Sequence, residues 1–244
     1  AIGEDLPVAS NRVDLDPDRF ATHVFEGRGF PIAYVHEGAG EGRPAVLLVH
    51  GYTGFPGEMG YVAEALFRAG HTVYAPRLPG HGTDRADFMA TGALDWVRRA
   101  RDAYIELAAE YGRVRLVGHS MGGAIAVILA ADYAPDRVAL LAPAVDIADR
   151  RLALAASLGR LVPVIKRDDP PSPEDAEGER LRLHEEYRKD TLVRQAGELN
   201  RVMRLARAAL PRVRSRLLVV SGELDASVPA SAAARIASTS RLSP

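Results

Sequence analysis

Residues 113–123 read Arg-Val-Arg-Leu-Val-Gly-His-Ser-Met-Gly-Gly, an apolar strand running straight into a Gly-x-Ser-x-Gly turn. The apolar run Ala-Ile-Ala-Val-Ile-Leu-Ala-Ala follows at helical length. The pentapeptide alone arises by chance in roughly one chain in ten of this glycine content, so its flanks decide its meaning. A strand-to-helix turn this tight holds its central serine in a strained conformation, with the hydroxyl projecting above the sheet edge. Gly118 and Gly122 flank Ser120 because a side chain at either position would collide with the neighbouring strand or helix. The helix that starts at Met121 aims N–H groups and the positive end of its dipole at the same spot. Ser120 is therefore the candidate nucleophile.

The rest of the chain supports a sheet around that turn. Thr22–Glu26 and Ile32–His36 alternate as two strands of a hairpin about Gly27-Arg28-Gly29. Ala45–Val49 is a continuous apolar strand of the buried parallel type, and residues 72–75, 138–141 and 216–220 read the same way. Helices are expected at 58–69, closed by Gly70, at 94–111, ended by Gly112, and at 230–238. Gly38-Ala39-Gly40-Glu41-Gly42 precedes a strand rather than a helix and is a plain connection. The segment from Ile147 to Leu210 shows no strand signal. Residues 163–173 are Pro- and Asp-rich, hence loop, and Ser172-Pro173-Glu174-Asp175 has the form of a helix start. Leu192, Ala196, Leu199, Val202, Met203, Ala206 and Leu210 share one helical face. The alternation of strands and helices implies an α/β architecture with a mostly parallel sheet flanked by helices. Its core is residues 1–146 and 211–244, and 147–210 form a small helical cap insertion.

Composition narrows the partners. A formal net charge of -1 gives no electrostatic reason to expect nucleic acid or an anionic membrane. The absence of cysteine excludes disulfides and thiolate metal sites. No apolar run reaches bilayer-spanning length, so no stable membrane insertion is expected. The first residues lack the regions of a signal peptide, and a cytoplasmic location is the default. Oligomeric state is open.

Two further segments belong with Ser120. His50-Gly51-Tyr52-Thr53-Gly54 follows the strand at 45–49. An acyl-transfer intermediate needs two converging N–H donors around its oxyanion. Met121, next to the nucleophile, supplies one, and Tyr52 is the position that fits for the other. Asp225, in Gly222-Glu223-Leu224-Asp225, lies just past a strand end, where a carboxylate can orient a histidine. Asp146, after the preceding strand, is the competing acid.

These stretches, with Pro76-Arg77-Leu78-Pro79-Gly80-His81-Gly82-Thr83, Asp95-Trp96-Val97 and Val228-Pro229, resemble the α/β-hydrolase superfamily, and within it the small bacterial carboxylesterases and monoacylglycerol lipases. The resemblance runs from about Ala45 to the end of the chain. It implies a nucleophile at Ser120, an acid at Asp225, oxyanion donors at Tyr52 and Met121, and no cofactor or metal. The implied reaction is hydrolysis of small-molecule esters with short-to-medium acyl chains, or of monoacylglycerols, through an acyl-serine.

The family's catalytic histidine would follow the acid by about 30 residues, given typical element lengths. No histidine follows Asp225, and the last strand and helix of the fold are missing from the sequence pattern. None of the seven histidines is a convincing substitute; His119 neighbours Ser120 on the turn and cannot fold back onto it. Without a base, turnover should fall by on the order of 10⁶. The alternatives are a non-catalytic ligand-binding or interaction protein on a hydrolase scaffold, or a peptidase or thioesterase of the same fold.

Overall fold

The computed structural model describes residues 11–12, 22–27, 30–36, 43–146, 164–166, 190–225, 227–229 and 231–239. Its strands are β1 (Asn11–Arg12), β2 (Thr22–Gly27), β3 (Phe30–His36), β4 (Ala45–Val49), β5 (Val73–Pro76), β6 (Val114–His119), β7 (Arg137–Leu141), β8 (Val164–Lys166), β9 (Asp190–Leu192) and β10 (Arg216–Val220). Its α-helices are α1 (Gly60–Arg68), α2 (Arg85–Ala90), α3 (Ala93–Tyr111), α4 (Met121–Tyr133), α5 (Val193–Ala209) and α6 (Ser231–Thr239).

One eight-stranded sheet has the order β1-β2-β3-β5-β4-β6-β7-β10. The pairings from β1 to β5 are antiparallel, and β5, β4, β6, β7 and β10 run parallel. The parallel part is the expected α/β architecture. β4 shows why these residues make a central strand. All five of its side chains are buried, and they alternate between the two faces: Leu47 and Val49 join α3, α4, α5 and α6, while Val46 and Leu48 join α1. Each fully buried leucine of this kind stabilises the fold by about 1.5–3 kcal/mol.

Helix boundaries follow local chemistry. Asp84 caps α2, its carboxylate accepting from the Asp87 N–H at 2.9 Å. Asp95 accepts from the Gly92 N–H at 3.0 Å at the start of α3, and Gly112, at φ 70, ends that helix. α4 is buried from Met121 to Ala130, in keeping with a sequence that is apolar all round.

Several expectations need correction. The stretch 147–210 does contain strands, because β8 and β9 form a two-stranded antiparallel sheet. Three residues each give too short a run for periodicity to register. α2 lies in a stretch for which no element is expected from the sequence. β10 is not a buried strand. Leu217 and Val219 face the core, but Leu218 and Val220 are 61% and 48% exposed on the α1 side. A groove of about 410 Å³ opens there, lined by Val46, Leu66, Arg115, Val117, Ala139 and Leu218 among others. The expected helix start at 172–175 and the turn residues Arg28 and Gly29 lie outside the described residues. Among the described residues no helix is long and apolar enough to cross a membrane.

Candidate active site

Ser120 joins β6 to α4 with φ 52 and ψ -115, a conformation that costs a non-glycine residue about 1–3 kcal/mol. Backbone hydrogen bonds hold it there. Its N–H donates to Leu141 O on β7 at 2.8 Å, and its carbonyl accepts from Ala144 at 2.9 Å and Ala124 at 3.2 Å. The flanking glycines are needed for close approach. A Cβ on Gly118 would lie 2.3 Å from Gly122 O, and one on Gly122 only 2.0 Å from Val49 O. So Gly122 lets α4 start directly against the end of β4, and Gly118 clears the first turn of α4.

That contact brings the loop after β4 beside the serine. A methyl group on Gly51 would sit 3.4 Å from Ser120 Cβ and 3.3 Å from His119 Nδ1. Residues 51–54 form a turn closed by Gly54 N–H to Gly51 O at 3.1 Å. At its tip Thr53 has φ 60, rare for a β-branched residue, and its hydroxyl donates to Tyr52 O at 2.6 Å. Met121 is the first residue of α4, so its N–H has no acceptor within the helix. Ser120, Met121 and the Gly51 backbone thus lie together at the C-terminal ends of β4 and β6.

The histidines of this region have other partners. His50 is buried, and its Nε2 accepts from the Leu78 N–H at 3.1 Å. The ring proton is then on Nδ1, 3.0 Å from Gly51 O. His81 is buried with Nδ1 3.1 Å from Pro79 O, and His71 Nδ1 lies 3.3 Å from Pro44 O. Burial pushes the His119 imidazole below its ordinary pKa, opposed by the charge of Asp225. His184 lies outside the described residues.

The two candidate acids differ. Asp225 Oδ1 accepts from the backbone N–H groups of Ser227 at 2.8 Å and Val228 at 3.0 Å. The Val228 N–H, then that of Ser227, holds its carboxyl below the usual carboxylate value; slight burial opposes them, and the His119 charge adds a smaller pull. Asp146 is engaged by arginines, with Arg235 Nε at 2.6 Å and Arg207 Nη1 at 3.7 Å. It ties α6 and α5 to the end of β7.

A further layer was not visible in the sequence reading. The Tyr52 ring lies 5.7 Å from Phe88 and 6.2 Å from Trp96. His81 meets both of those rings edge-on and lies 5.1 Å from His50. Of its rings, Tyr52, His50, His81 and Trp96 lie in motifs named above, and Phe88 does not. Among the described residues, no group of three or more His, Cys, Asp or Glu is placed to hold a metal ion.

A parallel sheet with a strained serine at a strand-to-helix elbow, facing the N-terminus of the next helix, defines an α/β-hydrolase. More narrowly, the chain belongs to the serine aminopeptidase S33 family, which it matches over residues 40–242. Similar proteins include a thermostable monoacylglycerol lipase from Bacillus sp. (strain H-257), 43% identical over 98 residues, covering 40% of this chain and 39% of the lipase. A carboxylesterase from Bacillus subtilis (strain 168) is 35% identical over 89 residues, covering 36% of each protein. Both matches thus span less than half of the relative's own length. Among solved structures, one from the metagenome-derived lipolytic enzymes LipS and LipT superposes with a TM-score of 0.68 at 28% identity, over 85% of this chain and 82% of that one.

Proposed function

We propose that this protein is a serine ester hydrolase acting on short-to-medium acyl esters or monoacylglycerols. The observation that carries the reading is the φ 52 conformation of Ser120, kept against its strain by hydrogen bonds from β7, the loop after it and α4. The named activities of the lipase and carboxylesterase relatives support the substrate class. In the proposed mechanism Ser120 Oγ attacks the ester carbonyl carbon while a general base takes its proton, and the carbonyl π pair moves onto oxygen. The N–H groups of Tyr52 and Met121 receive that oxyanion. Its collapse expels the alcohol, which takes up the proton held by the base, and leaves an acyl-serine. Water then attacks the acyl carbon, releasing the acid and returning the proton to Ser120. Asp225 is the acid that would orient that base, an imidazole, and stabilise its cationic form; no histidine follows Asp225 in this sequence, and none of the seven is assigned the role. Residues 147–210 form the cap in this reading, with α5 as the part that packs into the core through Val202, Met203 and Ala206.

Hydrolysis of p-nitrophenyl butyrate by the protein and by Ser120→Ala tests the proposal. With no histidine assigned as the base, the wild type is expected to turn over slowly and the variant to lose that turnover; equal rates would reject Ser120. The family description supports a second reading, a peptidase. Faster cleavage of aminoacyl p-nitroanilides than of p-nitrophenyl esters would favour it.

A further inference from the structure

We propose that Gln195, assisted by Glu198, is a positioning residue that sets the loop carrying Tyr52, so that the helix α5 of the cap controls the oxyanion site; the inference rests on the functional reading above. Gln195 stands near the start of α5 and is fully buried. A buried carboxamide needs partners for both of its N–H bonds. Gln195 Nε2 donates to Phe88 O and, at 3.0 Å, to Thr91 O. One turn on, Glu198 Oε2 accepts from the Ala93 N–H at 3.0 Å, and Gly92 is small enough to let it approach. Two polar side chains from one face of α5 thus grip the segment 88–93 between α2 and α3.

That segment holds the loops nearer Ser120. Trp96 Nε1 donates to Thr91 Oγ1 at 3.2 Å, and the same hydroxyl lies 3.1 Å from Pro79 O. At Gly80 a Cβ would come within 2.7 Å of Phe88 Cα, so the loop 76–83 lies directly on the gripped segment. Leu78 in that loop donates to His50, whose ring returns to Gly51 O. In parallel, the Tyr52 ring rests against Phe88 and Trp96. Two linked paths therefore lead from the Gln195 carboxamide to residues 51–52, one through hydrogen bonds and one through ring packing. The far end of α5 is fixed separately, by Arg207 to Val145 O at 2.7 Å.

Gln195→Leu keeps most of the volume and removes both donors. Hydrogen exchange is measured on the peptides covering 50–54, 88–93 and 114–119, together with kcat per fluorophosphonate-titrated serine. Exchange at 50–54 is expected to rise roughly fivefold, with 114–119 unchanged. The kcat per titrated site is expected to fall about tenfold, the scale of a small misplacement, with KM within about twofold. Faster exchange confined to 88–93, or fewer titrated sites with wild-type kcat at each, would overturn the inference and leave Gln195 a structural residue only. Should Gln195→Leu not fold, Glu198→Gln is read in the same way, with about a twofold change expected at 50–54 and none overturning the inference. A wild type in which Ser120 takes no label fails the functional reading instead.

Discussion

Ser120 and Asp225 both lie past the C-terminal ends of parallel strands of one sheet, β6 and β10, yet they are held in opposite ways. Ser120 is strained, and its backbone is fixed by β7, α4 and the loop after β7. Around it stand glycines that leave no room for a single added carbon. Asp225 sits in a loop where Leu224 is 98% exposed, and its carboxylate is organised by two N–H groups of the next three residues. The nucleophile's geometry is imposed by the whole sheet, while the acid's is made locally. A strained conformation persists only where many contacts over-determine it. A carboxylate that needs only its charge and direction can be supplied by one short turn.

The largest expected effect falls on the over-determined side. Gly122→Ala places a carbon against Val49 O and His50 O, and should cost about 3 kcal/mol of stability in a urea titration. Survival at wild-type stability would mean that β4 and α4 are not locked together. Ser120→Gly should act in the opposite direction, gaining about 1 kcal/mol because glycine accepts φ 52 without strain. A loss there would remove the claim of strain. On the local side, Asp225→Asn should cost less than about 1 kcal/mol, the scale of an exposed cap. Its pH dependence has a definite sign. The folded-state pKa lies below the ordinary value, so the wild type's advantage is present above the unfolded pKa of about 3.9 and disappears as pH falls through the lower folded value. Parallel unfolding curves for both proteins across that range check it, and an advantage that grows with acid would contradict it. The smallest effect is expected for Asp146→Asn, about 0.5 kcal/mol from partly exposed arginine pairs, with labelling of Ser120 unchanged. A loss of labelling would promote Asp146 over Asp225 as the acid.

The same contrast explains what could be read from the sequence. The elbow was legible because its requirements are local: a strand, two glycines around a serine, and an apolar helix within nineteen consecutive residues. β4 was equally plain, being buried on both faces and apolar at every position. Gln195 and Glu198 gave no signal, since their partners Phe88, Thr91 and Ala93 lie about a hundred residues earlier and are backbone atoms. Backbone acceptors leave no mark in a sequence. His50 and His81 could be set aside as bases only by their position along the chain; the structure supplies the physical reason, a loop hydrogen bond and a ring cluster. α2 had a readable start in Asp84 and Asp87, but only six residues to carry a period. The mistaken burial of β10 is of another kind, because Leu218 and Val220 are apolar whether or not anything covers them.

Covalent labelling with a fluorophosphonate, followed by peptide mapping, tests the central claim most directly. The account predicts one adduct, on the Ser120 hydroxyl, absent from Ser120→Ala and from unfolded protein. A folded protein that leaves Ser120 unmodified, or that carries the adduct on another serine, would contradict it.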